Sequence, residues 1–210
     1  MSEVSKLIAQ SLLRVNAIKL QPSNPFTWAS GWKSPIYCDN RVTLSYHDVR
    51  TIIRDEFVKV VKNQFPEVEI IAGVATGAIA QGVLVADAME KPFIYIRSSA
   101  KGHGMENLIE GEVKPGQKVV VIEDLISTGG SSLKAVEALR TAGCEVLGMV
   151  AIFTYGFQTA IDNFKSANVK LETLSNYNAL AELALDTKYI TESQFEALKQ
   201  WRIAPSEWGK

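Results

Sequence analysis

The sequence predicts an α/β fold with a central, mainly parallel sheet flanked by helices and a small N-terminal hood. Three observations carry this. Short apolar runs recur at Val68 to Val74, Pro92 to Ile96, Lys118 to Ile122 and Glu145 to Thr154. Segments with apolar residues at helical spacing separate most of them. Strands that are apolar throughout and alternate with helices suit a parallel sheet covered on both faces.

Each element has its own signal. From Ser2 to Val15, residues Val4, Leu7, Ile8, Ser11, Leu12 and Val15 recur at helical spacing. Pro22, Pro25, Gly31 and Pro35 then punctuate Phe26, Trp28, Trp32 and Tyr37, which predicts small strands and turns outside the main core. Ser45 to Lys62 reads as a helix with a buried stripe of Val49, Ile52, Ile53, Phe57, Val60 and Val61. The strand Val68–Val74 leads through Gly77 into a helix ending near Met89. The turn Lys114-Pro115-Gly116 opens the strand Lys118–Ile122, and a helix from about Ser131 to Thr141 stops at Gly143. After the strand Glu145–Thr154, a helix near Phe157–Lys165, a strand near Val169–Leu174 and helices Asn178–Leu185 and Glu192–Trp201 close the chain. No internal repeat appears.

The 210 residues fit a single domain: helix and hood over 1–45, core over 46–175 and closing helices over 176–210. Hydrophobic residues at 47% exclude a disordered or low-complexity chain. The formal net charge of -1 gives no global field toward nucleic acid or an anionic membrane, so anion binding must be local. The longest apolar run, Val146 to Phe153, is too short to span a bilayer. No apolar h-region follows the N-terminus, and the two cysteines, Cys38 and Cys144, stand in no metal-ligand spacing. They read as reduced, small apolar fillers in a cytoplasmic domain.

One segment breaks the alternation. Arg97 to Glu112, RSSAKGHGMENLIEGE, has three glycines and almost no apolar periodicity. Loops of this length in compact domains are commonly functional.

The strongest chemical signal is VVVIEDLISTGGS, Val119 to Ser131. A buried strand ends in two acids, and a small polar loop with glycines opens a helix. Ligands of open α/β sheets bind beyond the carboxyl ends of the strands. Amides around Thr128, Gly129 and Gly130 would meet an anion where the helix dipole favours phosphate. The hydroxyls of Ser127, Thr128, Ser131 and Ser132 can add donors. Glu123 and Asp124 beside a phosphate suggest sugar hydroxyls or a hydrated Mg2+, hence a phosphorylated sugar; the plainer alternative is an acidic turn with a helix cap. No G-x-x-x-x-G-K-[ST] occurs, since the nearest stretch, Gly111 to Lys118, carries Gln117 at the lysine position. No complete G-x-G-x-x-G follows Gly102 and Gly104.

This run resembles the phosphoribosyl-pyrophosphate (PRPP) signature of the type I phosphoribosyltransferases. RSSAKGHG, GVATGAIAQG and FTWASGWKSPIYCDNR, in the expected order, narrow the resemblance to the orotate phosphoribosyltransferases, over essentially the whole chain. The resemblance implies the type I phosphoribosyltransferase fold and transfer of 5-phosphoribosyl from PRPP to orotate, with Mg2+ as cofactor. It implies that Lys101, His103 and Asp124 carry catalysis. Arg97, Lys101, His103, Glu123, Asp124, Leu125, Ile126, Ser127, Thr128, Gly129, Gly130 and Ser131 would bind PRPP, and Ser127 and Tyr37 orotate. Phe26 and Tyr37 suit a flat ring, while Lys33 and Arg41 suit its carboxylate. It further implies a homodimer in which loop 97–112 completes the partner's site. Ala29, Ser98 and Tyr155 stand where some members carry basic residues. A phosphoribosyltransferase for another base would need a different hood. A PRPP-sensing regulator would need a DNA-binding module, and this chain has no basic helix-turn-helix extension. His47 reads as a helix-opening residue, Trp201 as packing and Trp208 as a mobile tail.

Overall fold

The computed structural model describes residues 2–28, 31–99 and 108–208. Helix α1 (Glu3–Arg14) is capped by Ser2, whose hydroxyl accepts from the Ser5 amide, and buries Ile8, Leu12 and Leu13. The hood follows as two small antiparallel pairs: β1 (Ile18–Leu20) with β4 (Ile36–Cys38), and β2 (Phe26–Thr27) with β3 (Lys33–Ser34). A 3-10 turn (Asn40–Ser45) leads into α2 (His47–Gln64), so His47 opens a helix as expected.

The core alternates β5 (Ile70–Val74), α3 (Ile79–Ala88), β6 (Phe93–Ile96), β7 (Ile109–Glu110), β8 (Lys118–Ile126), α4 (Gly130–Thr141), β9 (Glu145–Thr154), α5 (Gln158–Ser166) and β10 (Leu171–Asn176). Helices α6 (Tyr177–Asp186) and α7 (Glu192–Ile203) close it. The main sheet has six strands in the order β10-β9-β8-β5-β6-β7. Every pair in it is parallel except β6–β7.

Period-2 alternation distributes side chains to both faces. Ile71, Val120, Ile122, Val150 and Ile152 join the layer containing α1, α2 and α6. Ile70, Val119, Val121, Met149 and Ala151 join the layer beneath α4 and α5. Both faces are thus buried, which is why these strands read as continuous apolar runs.

Three sequence expectations change. The segment 97–112 is not irregular throughout, because Ile109–Glu110 forms an antiparallel edge strand and the Arg97 amide donates to Leu108 at 2.8 Å. Two residues are too few to show a period. Strand β8 runs past Ile122 to Ile126, since Leu125 and Ile126 pair with Phe153 and Thr154 of β9. The acid pair therefore lies within a strand. Trp208 is half-buried against the core and not a free tail.

Candidate active site

The site residues gather beyond the carboxyl ends of β5 and β8. Strand alternation sends the two acids different ways. Glu123 falls on the α4 side and is 5% exposed. Its carboxylate accepts from Ser132 Oγ at 2.8 Å and from the Asp124 amide at 2.9 Å. Burial first, and the neighbouring Asp124 carboxylate second, push its pKa up to about 8. Asp124 stays half-buried at the open strand end. A Cβ built on Gly77 would lie 2.3 Å from its Oδ2, so the β5 exit turn and Asp124 touch. The Ala75–Thr76 peptide in that turn is cis.

The segment 127–131 has the form expected of an anion cradle. Gly129, at φ 80°, stands before α4, and no side chain caps the helix. The first amides of a helix have no partner within it, so they are available to a ligand. Thr128, Gly130 and Ser131 are exposed, Ser127 is half-buried, and Gly129 lies against Phe164. Asn163 Nδ2 of α5 holds the Thr128 carbonyl at 2.9 Å, and Thr154 Oγ1 and the Tyr155 amide reach the Ile126 carbonyl. With these carbonyls engaged from behind, the loop is fixed before any ligand arrives. Ser132 is not a donor to the cradle as the sequence suggested: it is 1% exposed and turned to Glu123. A cavity of about 710 Å³ opens beside Ser131, lined also by Ala75, Arg97, Ser98 and Lys134.

The hood lies across the strand ends. Asn40 Nδ2 donates to the Asp124 carbonyl at 2.6 Å. Phe26 and Tyr37 pair with ring centroids 5.5 Å apart, and Tyr37 is exposed. Trp28 packs on Tyr155 at 5.3 Å, beneath the hood. Tyr155 is 2% exposed, and burial raises its hydroxyl well above the usual phenol range. Arg41 forms a two-pronged pair with Asp39, at 2.7 and 2.9 Å, which lowers the Asp39 carboxyl below the usual range. Lys33 instead bonds Thr27 Oγ1 at 2.8 Å. Arg97 Nη1 lies 3.5 Å from Glu110 across β6–β7.

The structure thus brings together Asp124, Leu125, Ile126, Ser127, Thr128, Gly129, Gly130 and Ser131. It places Tyr37 in the overlying hood and Glu123 behind the strand end. Lys101 and His103, and Ala29 in the hood, lie outside the described residues. Sequence reasoning missed Asn40 and Asn163; Asn40 stands within the quoted hood motif, whereas Asn163 carried no local signal. Cys144 is buried, as a filler should be, while Cys38 is half-buried and its thiol is pushed up by burial and then by Asp124.

The Phosphoribosyl transferase domain model matches residues 43–188. An orotate phosphoribosyltransferase of Porphyromonas gingivalis is 62% identical over 209 residues, covering 100% of both chains. Among solved structures, the orotate phosphoribosyltransferase of Aeropyrum pernix superposes with a TM-score of 0.76 at 26% identity, over 88% of this chain and 99% of that one. The UMP synthase of Leishmania donovani gives a TM-score of 0.80 at 29% identity, over 94% of this chain but only 42% of that longer one.

Proposed function

This chain belongs to the phosphoribosyltransferase family and, within it, to the orotate phosphoribosyltransferases, and we infer that it transfers the 5-phosphoribosyl group of PRPP to orotate. The products are orotidine 5′-monophosphate and pyrophosphate, and the step serves pyrimidine biosynthesis. The observation that carries the reading is the uncapped start of α4 directly after the strand bearing Asp124, beneath an aromatic hood.

In this reading the amides of Ser127 to Ser131 take the 5′-phosphate. Asp124 meets the ribose hydroxyls at the open strand end. Glu123 braces the cradle through Ser132 and reaches a hydroxyl only if its side chain turns. Tyr37 and Phe26 cover the flat ring, with Ser127 at its edge. The C1′–oxygen bond breaks with its electron pair leaving on pyrophosphate, and an orotate ring nitrogen bonds to C1′ as its N–H proton is released to pyrophosphate or water. Positive charge grows on the ribose while negative charge grows on the leaving group, so preorganised cations and exclusion of water favour the transition state. Arg97, Lys101 and His103 supply the cations.

Mg2+ suits the donor set. Asp124 offers hard carboxylate oxygen, and the sugar hydroxyls and pyrophosphate of PRPP supply the remaining oxygens, so no all-protein cage is needed. When bound, Mg2+ neutralises charge on the departing pyrophosphate. A homodimer with loop 97–112 completing the partner's site belongs to this reading; Val83 of α3, 44% exposed, is an apolar residue open to such a contact. Among the described residues no helix is long and apolar enough to cross a membrane. We place the enzyme in the cytoplasm.

The test is a spectrophotometric assay of orotate consumption with PRPP, with and without Mg2+, and with adenine, hypoxanthine and uracil as parallel acceptors. Mg2+-dependent loss of orotate alone is expected. Turnover of another base in its place would sink the acceptor assignment.

A further inference from the structure

The last turn of α7 bonds both to the hood and to the β9 exit. Trp201 Nε1 donates to the carbonyl of Lys33 in β3 at 3.2 Å. Its neighbour Arg202 donates from Nε to the Tyr155 carbonyl at 3.2 Å and from Nη2 to the Gly156 carbonyl at 2.7 Å. One helix end therefore ties a hood strand to the turn that leaves the sheet.

The rings between these bonds are packed with equal economy. Trp201 is fully buried and sits edge-on to Trp28 at 5.6 Å and to Tyr155 at 5.8 Å. Trp28 itself donates to the carbonyl of Ile36, the residue before Tyr37. Any shift of α7 would be felt along Trp28, β3 and β4 on one side and along Tyr155 on the other. The phosphate cradle has ties of its own, through Asn163 on Thr128 and Ser132 on Glu123, and among the described residues meets the Tyr155 turn only at the Ile126 carbonyl before it. No hydrogen bond from Trp201 or Arg202 reaches Asp124 or residues 127–131 among those of the described residues.

We propose that Trp201 and Arg202 are positioning residues for the acceptor base: they set the separation between the hood and the β9 exit, and so control orotate affinity while leaving PRPP affinity alone. The inference rests on the acceptor lying beneath the hood, as assigned above. Removing the Arg202 donors would release two carbonyls at the turn and free the β9 exit to shift relative to the hood.

The experiment is steady-state kinetics on the full chain, with orotate and PRPP varied separately, for the native enzyme and for Arg202→Met, Arg202→Lys and Trp201→Phe. Arg202→Met should raise the orotate KM about ten-fold, with the PRPP KM within about two-fold. Arg202→Lys, which keeps one donor, should recover part of the loss. Trp201→Phe keeps an aromatic ring but loses the Lys33 bond, and should raise the orotate KM about three-fold, which gives a readout even if Arg202→Met does not fold. Variants that keep the native orotate KM, or that raise both KM values alike, would overturn the positioning role. A native enzyme that leaves orotate untouched would instead overturn the acceptor reading itself.

Discussion

Gly77 and Asp124 touch so closely that a Cβ at the first would fall 2.3 Å from Oδ2 of the second. Forty-seven positions apart in the chain by their numbering, they meet because β5 and β8 are parallel neighbours whose carboxyl ends open on the same side. The contact joins the turn after β5 to the acid proposed to meet the ribose.

Gly77→Ala should therefore displace the Asp124 carboxylate without unfolding the protein, since the obstructing atoms belong to a side chain and not to backbone. We expect kcat/KM for PRPP to fall at least about ten-fold with the melting temperature nearly unchanged. Native kinetics in the alanine variant would show that Asp124 works from another position.

Glu123 gives a pH prediction. Its folded pKa of about 8 lies above the ordinary 4.5, so between these values the folded protein keeps a proton that the unfolded chain releases. Stability from this group is fully present below pH 4.5 and is lost as pH rises through about 8. Thermal melts of the ligand-free protein should decline by roughly 10 °C between pH 5 and pH 8 on this account, and Glu123→Gln should flatten that decline. Equal slopes in the two proteins would contradict it.

Lys101→Ala should slow turnover about 100- to 1,000-fold with the fold intact if Lys101 supplies a cation to the departing pyrophosphate as proposed. If loop 97–112 serves the partner's site, mixing Lys101→Ala with Asp124→Asn subunits should regenerate one intact site in each mixed dimer. About a quarter of native activity is then expected from equal mixing, against almost none from either variant alone. No recovery after subunit exchange would place the loop over its own site.

If α3 lies in the proposed dimer interface, Val83→Glu should shift the protein from twice 23.1 kDa to 23.1 kDa in analytical ultracentrifugation. An unchanged sedimentation coefficient would locate the interface elsewhere.

The chain order of helices and strands was legible because burial on both faces leaves Val and Ile in unbroken runs, and because Gly77, Gly129 and Gly143 punctuate them. The cradle was legible because a single short segment, 119–131, contains strand, acids, loop and helix start. The two-residue strand Ile109–Glu110 was not, since an edge pairing so short leaves no periodic trace. Ser132 was misread for a related reason: sequence places a hydroxyl in the first turn of α4 but does not say that it faces inward to Glu123.

By itself, the sequence determined the α/β class, the family and the run of strand, acids, loop and helix start over 119–131. These depend on local pattern, where residue type and spacing act within one strand or one turn. Tertiary structure alone decided that Glu123 and Asp124 part company, that Asn40 braces Asp124 and that α7 ties Lys33 to Tyr155 and Gly156. Those relationships join residues far apart in the chain, and only the packing of the sheet against its hood and closing helix brings their donors and acceptors within bonding distance.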